Sequence, residues 1–101
     1  MQCTLERAGK TVSLRLTGEL TFRDNSEFRK VIEDVFTQPA DAVVIDLSKT
    51  SLVDSAGLAM FVILQKRAKE KNIPVTLEKP NAQIARVLDL VDFGKLFTIK
   101  A

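Results

Sequence analysis

The chain has 101 residues, 46% of them hydrophobic, and 15 Lys and Arg against 13 Asp and Glu give a net charge of +2. That length allows one domain with one core and leaves no room for a catalytic domain joined to a regulator. It contains no histidine, which excludes Ser-His-Asp and Cys-His nucleophile pairs and imidazole metal sites.

The segment Gln2 to Glu6 places Cys3 and Leu5 on one face, and Thr11 to Leu16 alternates with Val12, Leu14 and Leu16 on one face and Ser13 and Arg15 on the other. These are the periods of half-buried strands, and Ala8-Gly9-Lys10 between them predicts a hairpin. Gly18 is expected to end the second strand. Cys3 is the one cysteine; it has no partner for a disulfide, which points to a reducing compartment and a cytoplasmic protein. The opening residues MQCTLERAGK carry charges and lack the apolar core of a signal peptide.

From Asp24 the spacing changes to Phe28, Val31, Ile32, Val35 and Phe36, opposite Arg29, Lys30, Glu33 and Asp34, which predicts an amphipathic helix stopped at Pro39. Asp24 followed by Glu27 resembles a capping box. The β-branched run Ala42 to Leu47 lacks polar alternation and predicts a central strand, covered on both faces or parallel to its neighbours. Ser48 to Val53 are mostly short polar residues, and Asp54-Ser55-Ala56-Gly57 then opens a second helix that reaches Lys71. Its first two turns are apolar nearly all round, which predicts deep burial including Val62, while its basic end complements the helix dipole. The apolar stretch Gly57 to Leu64 falls far short of the roughly 20 residues that cross a bilayer. Pro74 to Leu77 predicts a strand, Asn81 to Leu90 a helix with Ile84, Val87, Leu88 and Val91 on one face, and Leu96 to Ile99 a last extended piece. The expected order is ββαβαβα with a short end, a small α/β fold of helices on a mixed sheet of four to five strands.

Chemistry is expected where the central strand hands over to the second helix, between Asp46-Leu47-Ser48 and Asp54-Ser55-Ala56-Gly57, because helix amino ends attract anions. Free N–H groups there would stabilise a phosphate on Ser55, adding about −1.5 to −2 charge to a small surface. On spacing alone the commoner reading is that Asp54 or Ser55 caps the helix, a role worth about 1 kcal/mol. Gly57 likewise reads as a close-packing residue. Asp46 and Asp54 have neither a third ligand nor a glycine-rich phosphate loop beside them, so both read as structural. Neither metal nor cofactor is expected. The evenly spread charge and the absence of Tyr and Trp speak against nucleic acid as a partner.

Four blocks in order, Gly18-Glu19-Leu20, Val43-Val44-Ile45-Asp46-Leu47-Ser48, Val53-Asp54-Ser55-Ala56-Gly57-Leu58 and Val87-Leu88-Asp89-Leu90 before Phe93-Gly94-Lys95-Leu96-Phe97, resemble the STAS domain of bacterial anti-sigma factor antagonists. The resemblance covers nearly the whole chain and implies a single STAS domain over residues 1–101. It further implies a non-enzymatic partner switch. In that family the serine after the aspartate is phosphorylated by a serine kinase that often doubles as the anti-sigma factor, and a PP2C-type phosphatase reverses the modification; the resemblance assigns that role to Ser55. The unphosphorylated form binds the kinase and frees its target through the loop after Gly18 and the start of the Ser55 helix. Carried onto this chain, that surface comprises Glu19, Thr21, Asp24, Asp54, Ser55, Ala56 and Gly57. Thr21 stands where many members have aspartate, Ala56 where a second hydroxyl is frequent, and Ala59 where glycine is common. A similar domain is the small STAS subunit of lipid-transport ABC systems, which docks on an ATPase and needs no modified serine. A small enzyme or nucleotide-binding module finds no catalytic constellation in the sequence.

Overall fold

The computed structural model describes residues 1–101. Strands β1 (Gln2–Ala8) and β2 (Thr11–Leu20) form the expected hairpin, and Gly9, at a φ of +62°, makes its turn. A short 3₁₀ turn (Phe22–Asp24) leads into α1 (Asn25–Val35), followed by β3 (Ala42–Val53), α2 (Ser55–Glu70), β4 (Val75–Glu78), α3 (Ala82–Leu90), a second 3₁₀ turn (Phe93–Lys95) and β5 (Thr98–Lys100). The five strands lie in sequence order, antiparallel between β1 and β2 and parallel from β2 to β5. Each of α1, α2 and α3 therefore bridges two adjacent parallel strands.

Val12, Leu14, Leu16, Val43, Ile45, Leu47, Val75 and Leu77 form the covered face of the sheet, and Phe28, Ile32, Phe61, Leu64, Ile84 and Leu88 from the three helices join them in one cluster. The opposite face is polar: Arg15 and Thr17 are exposed, and Val44, Asp46 and Thr76 only half-buried. β3 is thus covered on one face and parallel to both neighbours, the second of the two arrangements that its β-branched run allows. Phe28 meets Phe61 edge to face, with ring centroids 6.1 Å apart, fixing α1 against α2.

The structure corrects three expectations. β2 does not end at Gly18 but runs through it, at a φ of +92°, to Leu20. β3 continues through Ser48–Val53, because it carries one extra residue between the pairs Arg15–Asp46 and Thr17–Lys49 and another between Gly18–Thr50 and Glu19–Leu52. Such bulges break the alternation by which a strand is read while leaving its pairing intact. On α2 only Gly57, Met60, Phe61, Leu64 and Ala68 are buried, a single stripe, and Val62 is half-buried.

Candidate functional site

The two longest strands end side by side, and their extensions build the site. β2 ends at Leu20, whose carbonyl accepts the Asp54 N–H at 3.1 Å, so the loop after β2 and the start of α2 lie against each other. Asp54 sits at the N-cap of α2 in extended conformation. One carboxylate oxygen accepts the Gly57 N–H at 2.8 Å and the other the Phe22 N–H at 3.1 Å. A single side chain thus caps the helix and ties the 3₁₀ turn to it. The capping role read from sequence falls to Asp54 rather than to Ser55, which is the first helical residue and is exposed.

Gly57 is buried, and a Cβ there would lie 2.7 Å from the Leu20 carbonyl oxygen and 2.8 Å from Val53 Cγ1. Its lack of a side chain lets α2 approach the end of β2 closely.

Asp24 does not pair with Glu27. Its carboxylate turns back to accept the Thr21 N–H at 2.9 Å and the Thr21 hydroxyl at 3.4 Å, and it lies 3.4 Å from the amino terminus at Met1. The expected capping box at α1 is absent because the carboxylate is already engaged one turn earlier, at the 3₁₀ turn. The Thr21 backbone N–H, together with the terminal amine and the Thr21 hydroxyl, outweighs partial desolvation and holds the Asp24 carboxyl below its ordinary value of 3.8.

The seven positions drawn from sequence therefore meet at one end of the molecule but present different surfaces. Glu19 and Ser55 are exposed, Thr21, Asp24, Asp54 and Ala56 half-buried, and Gly57 buried. The sequence reading missed Phe22, which is 65% exposed and stands beside Asp54 through its N–H. A signal was present: stepping back from Phe28 by three, four or seven residues lands on Asn25, Asp24 and Thr21, so Phe22 lies off the apolar stripe of α1.

Asp46, on the open sheet face, is a structural group. Burial raises its carboxyl, but the Ser48 N–H at 2.9 Å and Arg15 at 3.3 Å outweigh that and leave it lowered. No three His, Cys, Asp or Glu side chains come together in a way that could hold a metal ion. No helix is long and apolar enough to cross a membrane.

The model of the Mlab, STAS domain family matches residues 3–98. A STAS-domain containing protein of Pseudomonas aeruginosa (strain UCBPP-PA14) is 26% identical over 91 residues, which cover 90% of this chain and 89% of that protein. The structure resembles that of a candidate anti-sigma factor antagonist from Thermotoga maritima with a TM-score of 0.89, at 23% identity over 98% of this chain and 86% of the other. It also resembles the anti-sigma factor antagonist SpoIIAA of Bacillus, known in an unphosphorylated form (TM-score 0.77, 20% identity, 97% of this chain and 86% of that one) and a phosphorylated form (TM-score 0.77, 20% identity, 99% and 92%). At these identities the structural likeness establishes the architecture, a five-stranded sheet packed by three helices. With a family model that spans all but the first two and last three residues, the chain belongs to the STAS domain family.

Proposed function

We propose that this protein is a partner-switching regulator, an anti-sigma factor antagonist in kind. In its unphosphorylated form it binds an anti-sigma factor that is also a serine kinase and releases that factor's target. Phosphorylation of Ser55 ends the binding, and a PP2C-type phosphatase restores it. The observation that carries this reading is the exposed Ser55 at the first position of α2, beside an Asp54 that already caps the helix. The hydroxyl is open to a kinase, and a phosphate there faces the positive end of the helix dipole, so the fold tolerates it. At an interface the same dianion is costly to desolvate and repels acidic neighbours, so binding suffers. The protein acts by binding rather than catalysis, needs neither cofactor nor nucleic acid, and works in the cytoplasm, the compartment suited to a lone unpaired thiol.

Likeness to SpoIIAA, known in both phosphorylation states, supports this reading. The test incubates wild type and Ser55→Ala with ATP and an anti-sigma serine kinase from the same organism, and reads intact mass and binding. One added phosphate on wild type alone, with loss of binding, is expected; equal phosphorylation of both proteins rejects Ser55 as the site. A second reading follows from the Mlab description of the matching family and the resemblance to the small STAS subunit of lipid-transport ABC systems. Here the same end of the molecule docks on an ATPase with Ser55 unmodified, and co-purification with a transport ATPase in place of a kinase favours it.

A further inference from the structure

The end of the molecule opposite Ser55 carries a second surface. The parallel strands rise toward Ser55, so α2 runs back down over 16 residues, about 24 Å at 1.5 Å per residue, to Lys71. The α3 helix descends the same way to Leu90. Of the five large apolar side chains left open to solvent, three lie where α3 ends and on the 3₁₀ turn that follows it: Leu90 at 74%, Val91 at 44% and Leu96 at 43% exposed. Leu96 forms one wall of a cleft of about 410 Å³ between α2, the start of β4 and the second 3₁₀ turn, with Ile73 in its floor. A second cleft of about 400 Å³ shares Ile73 and lies against Lys71. Lys69 and Lys95 line the first cleft, and neither cleft has a carboxylate in its lining. Glu70, between Lys69 and Lys71 in the chain, is exposed and lies outside both linings, and Asp92 reaches Lys95 Nζ only at 4.0 Å, with both side chains largely in water, a pairing of little energy.

We propose that this corner is a docking surface for an acidic protein segment that also carries apolar side chains. The apolar residues of the segment fill the cleft beside Leu96 and Ile73, and its carboxylates meet Lys69, Lys71 and Lys95. A cleft that joins the exposed Leu96 to Ile73 and Val75 offers apolar side chains of a partner a seat, and the uniform sign of the cleft linings selects an acidic partner over a basic one. Because the surface lies the length of α2 from Ser55, a partner held here stays bound whatever the state of the serine.

The probe is a fluorescein-labelled peptide alternating Glu and Leu, titrated by anisotropy into the full chain, with a Lys and Leu peptide as counterpart. Saturable binding of the acidic peptide is expected, weakened about tenfold in Lys69→Glu/Lys95→Glu and in Leu96→Ser and unchanged in Ser55→Asp, with thermal melts showing all variants folded. Equal binding of the basic peptide, no binding, or indifference to both cleft variants overturns the proposal. Loss of binding in Ser55→Asp overturns the independence of the two ends. Two further results also overturn it: self-association in sedimentation that Leu96→Ser abolishes assigns the corner to a second copy, and co-sedimentation with phosphatidylglycerol vesicles that Lys69→Glu/Lys95→Glu abolishes assigns it to a lipid surface.

Discussion

A Cβ on Gly57 would lie 2.7 Å from the carbonyl oxygen of Leu20, and that same oxygen accepts the Asp54 N–H. Helix start and strand end are therefore fitted to each other through a backbone atom that cannot swing aside. Gly57→Ala gains about 1 kcal/mol of helix propensity, but the overlap forces a backbone shift of the kind that costs about 1–3 kcal/mol. The expected result is net destabilisation, read as a lower melting temperature. A raised one would show that α2 slides freely on β2.

Asp54 gives the second prediction. Its two oxygens each satisfy a different N–H, one on α2 and one on Phe22. Asp54→Ala loses both and costs about 1–2 kcal/mol. Asp54→Asn keeps one acceptor and recovers much of that loss. Urea denaturation of wild type and both variants distinguishes them; an Asp54→Asn protein no more stable than Asp54→Ala would mean the retained acceptor contributes nothing, and one as stable as wild type would mean a single bond suffices.

The strands and helices were legible because their burial is periodic: Val12, Leu14 and Leu16, and Phe28, Ile32 and Val35, each recur on one face. The end of β3 was not, because two extra residues shift its register against β2, so Ser48–Val53 reads as a polar loop although it is paired. The one-sided covering of the sheet was also hidden, since a β-branched run such as Val43-Val44-Ile45 serves a parallel strand whether one face is covered or both. The candidate site was legible as a location through Asp54-Ser55-Ala56-Gly57. Its construction was not, because the reach of Asp54 to Phe22 depends on the close approach of segments far apart in the chain, and Asp24 turns back to Thr21, three residues earlier, instead of forward to Glu27.

Cys3 lies half-buried on the core side of β1 beside Leu5, and burial, then the Glu27 charge, pushes its thiol up to about 11. The thiolate that reacts is scarce near neutral pH. Labelling of the native protein at pH 8 is expected to be slow and to accelerate on addition of urea; fast labelling of the folded protein would contradict the raised value.

The lowered carboxyl of Asp24 sets a pH dependence. A group whose pKa is depressed on folding contributes stability that is present above its ordinary value, 3.8, and is lost as pH falls through the lower folded value. Asp24→Asn removes that contribution, so the variant is less stable than wild type at neutral pH. The two then converge in acid, below the carboxylate range. Denaturant midpoints at neutral pH and in strong acid measure the gap, and a gap that persists unchanged in acid would place the effect in packing rather than charge.

Ser55→Asp separates the fold from the switch. Position 55 opens α2 and is exposed, so a carboxylate there gains about 0.3–1 kcal/mol from the helix dipole and loses part of it to repulsion from neighbouring Asp54. The melting temperature is expected to stay close to wild type. Kinase binding is expected to fall by a few kcal/mol, because a carboxylate in the contact must shed its water without a cation to receive it. Ser55→Ala keeps the contact neutral and is expected to bind as wild type does, with Ala56 offering no second hydroxyl for phosphorylation. A Ser55→Asp protein that melts normally and still binds the kinase tightly would remove the electrostatic basis of the switch, whereas one that unfolds would show that the start of α2 does not tolerate the charge.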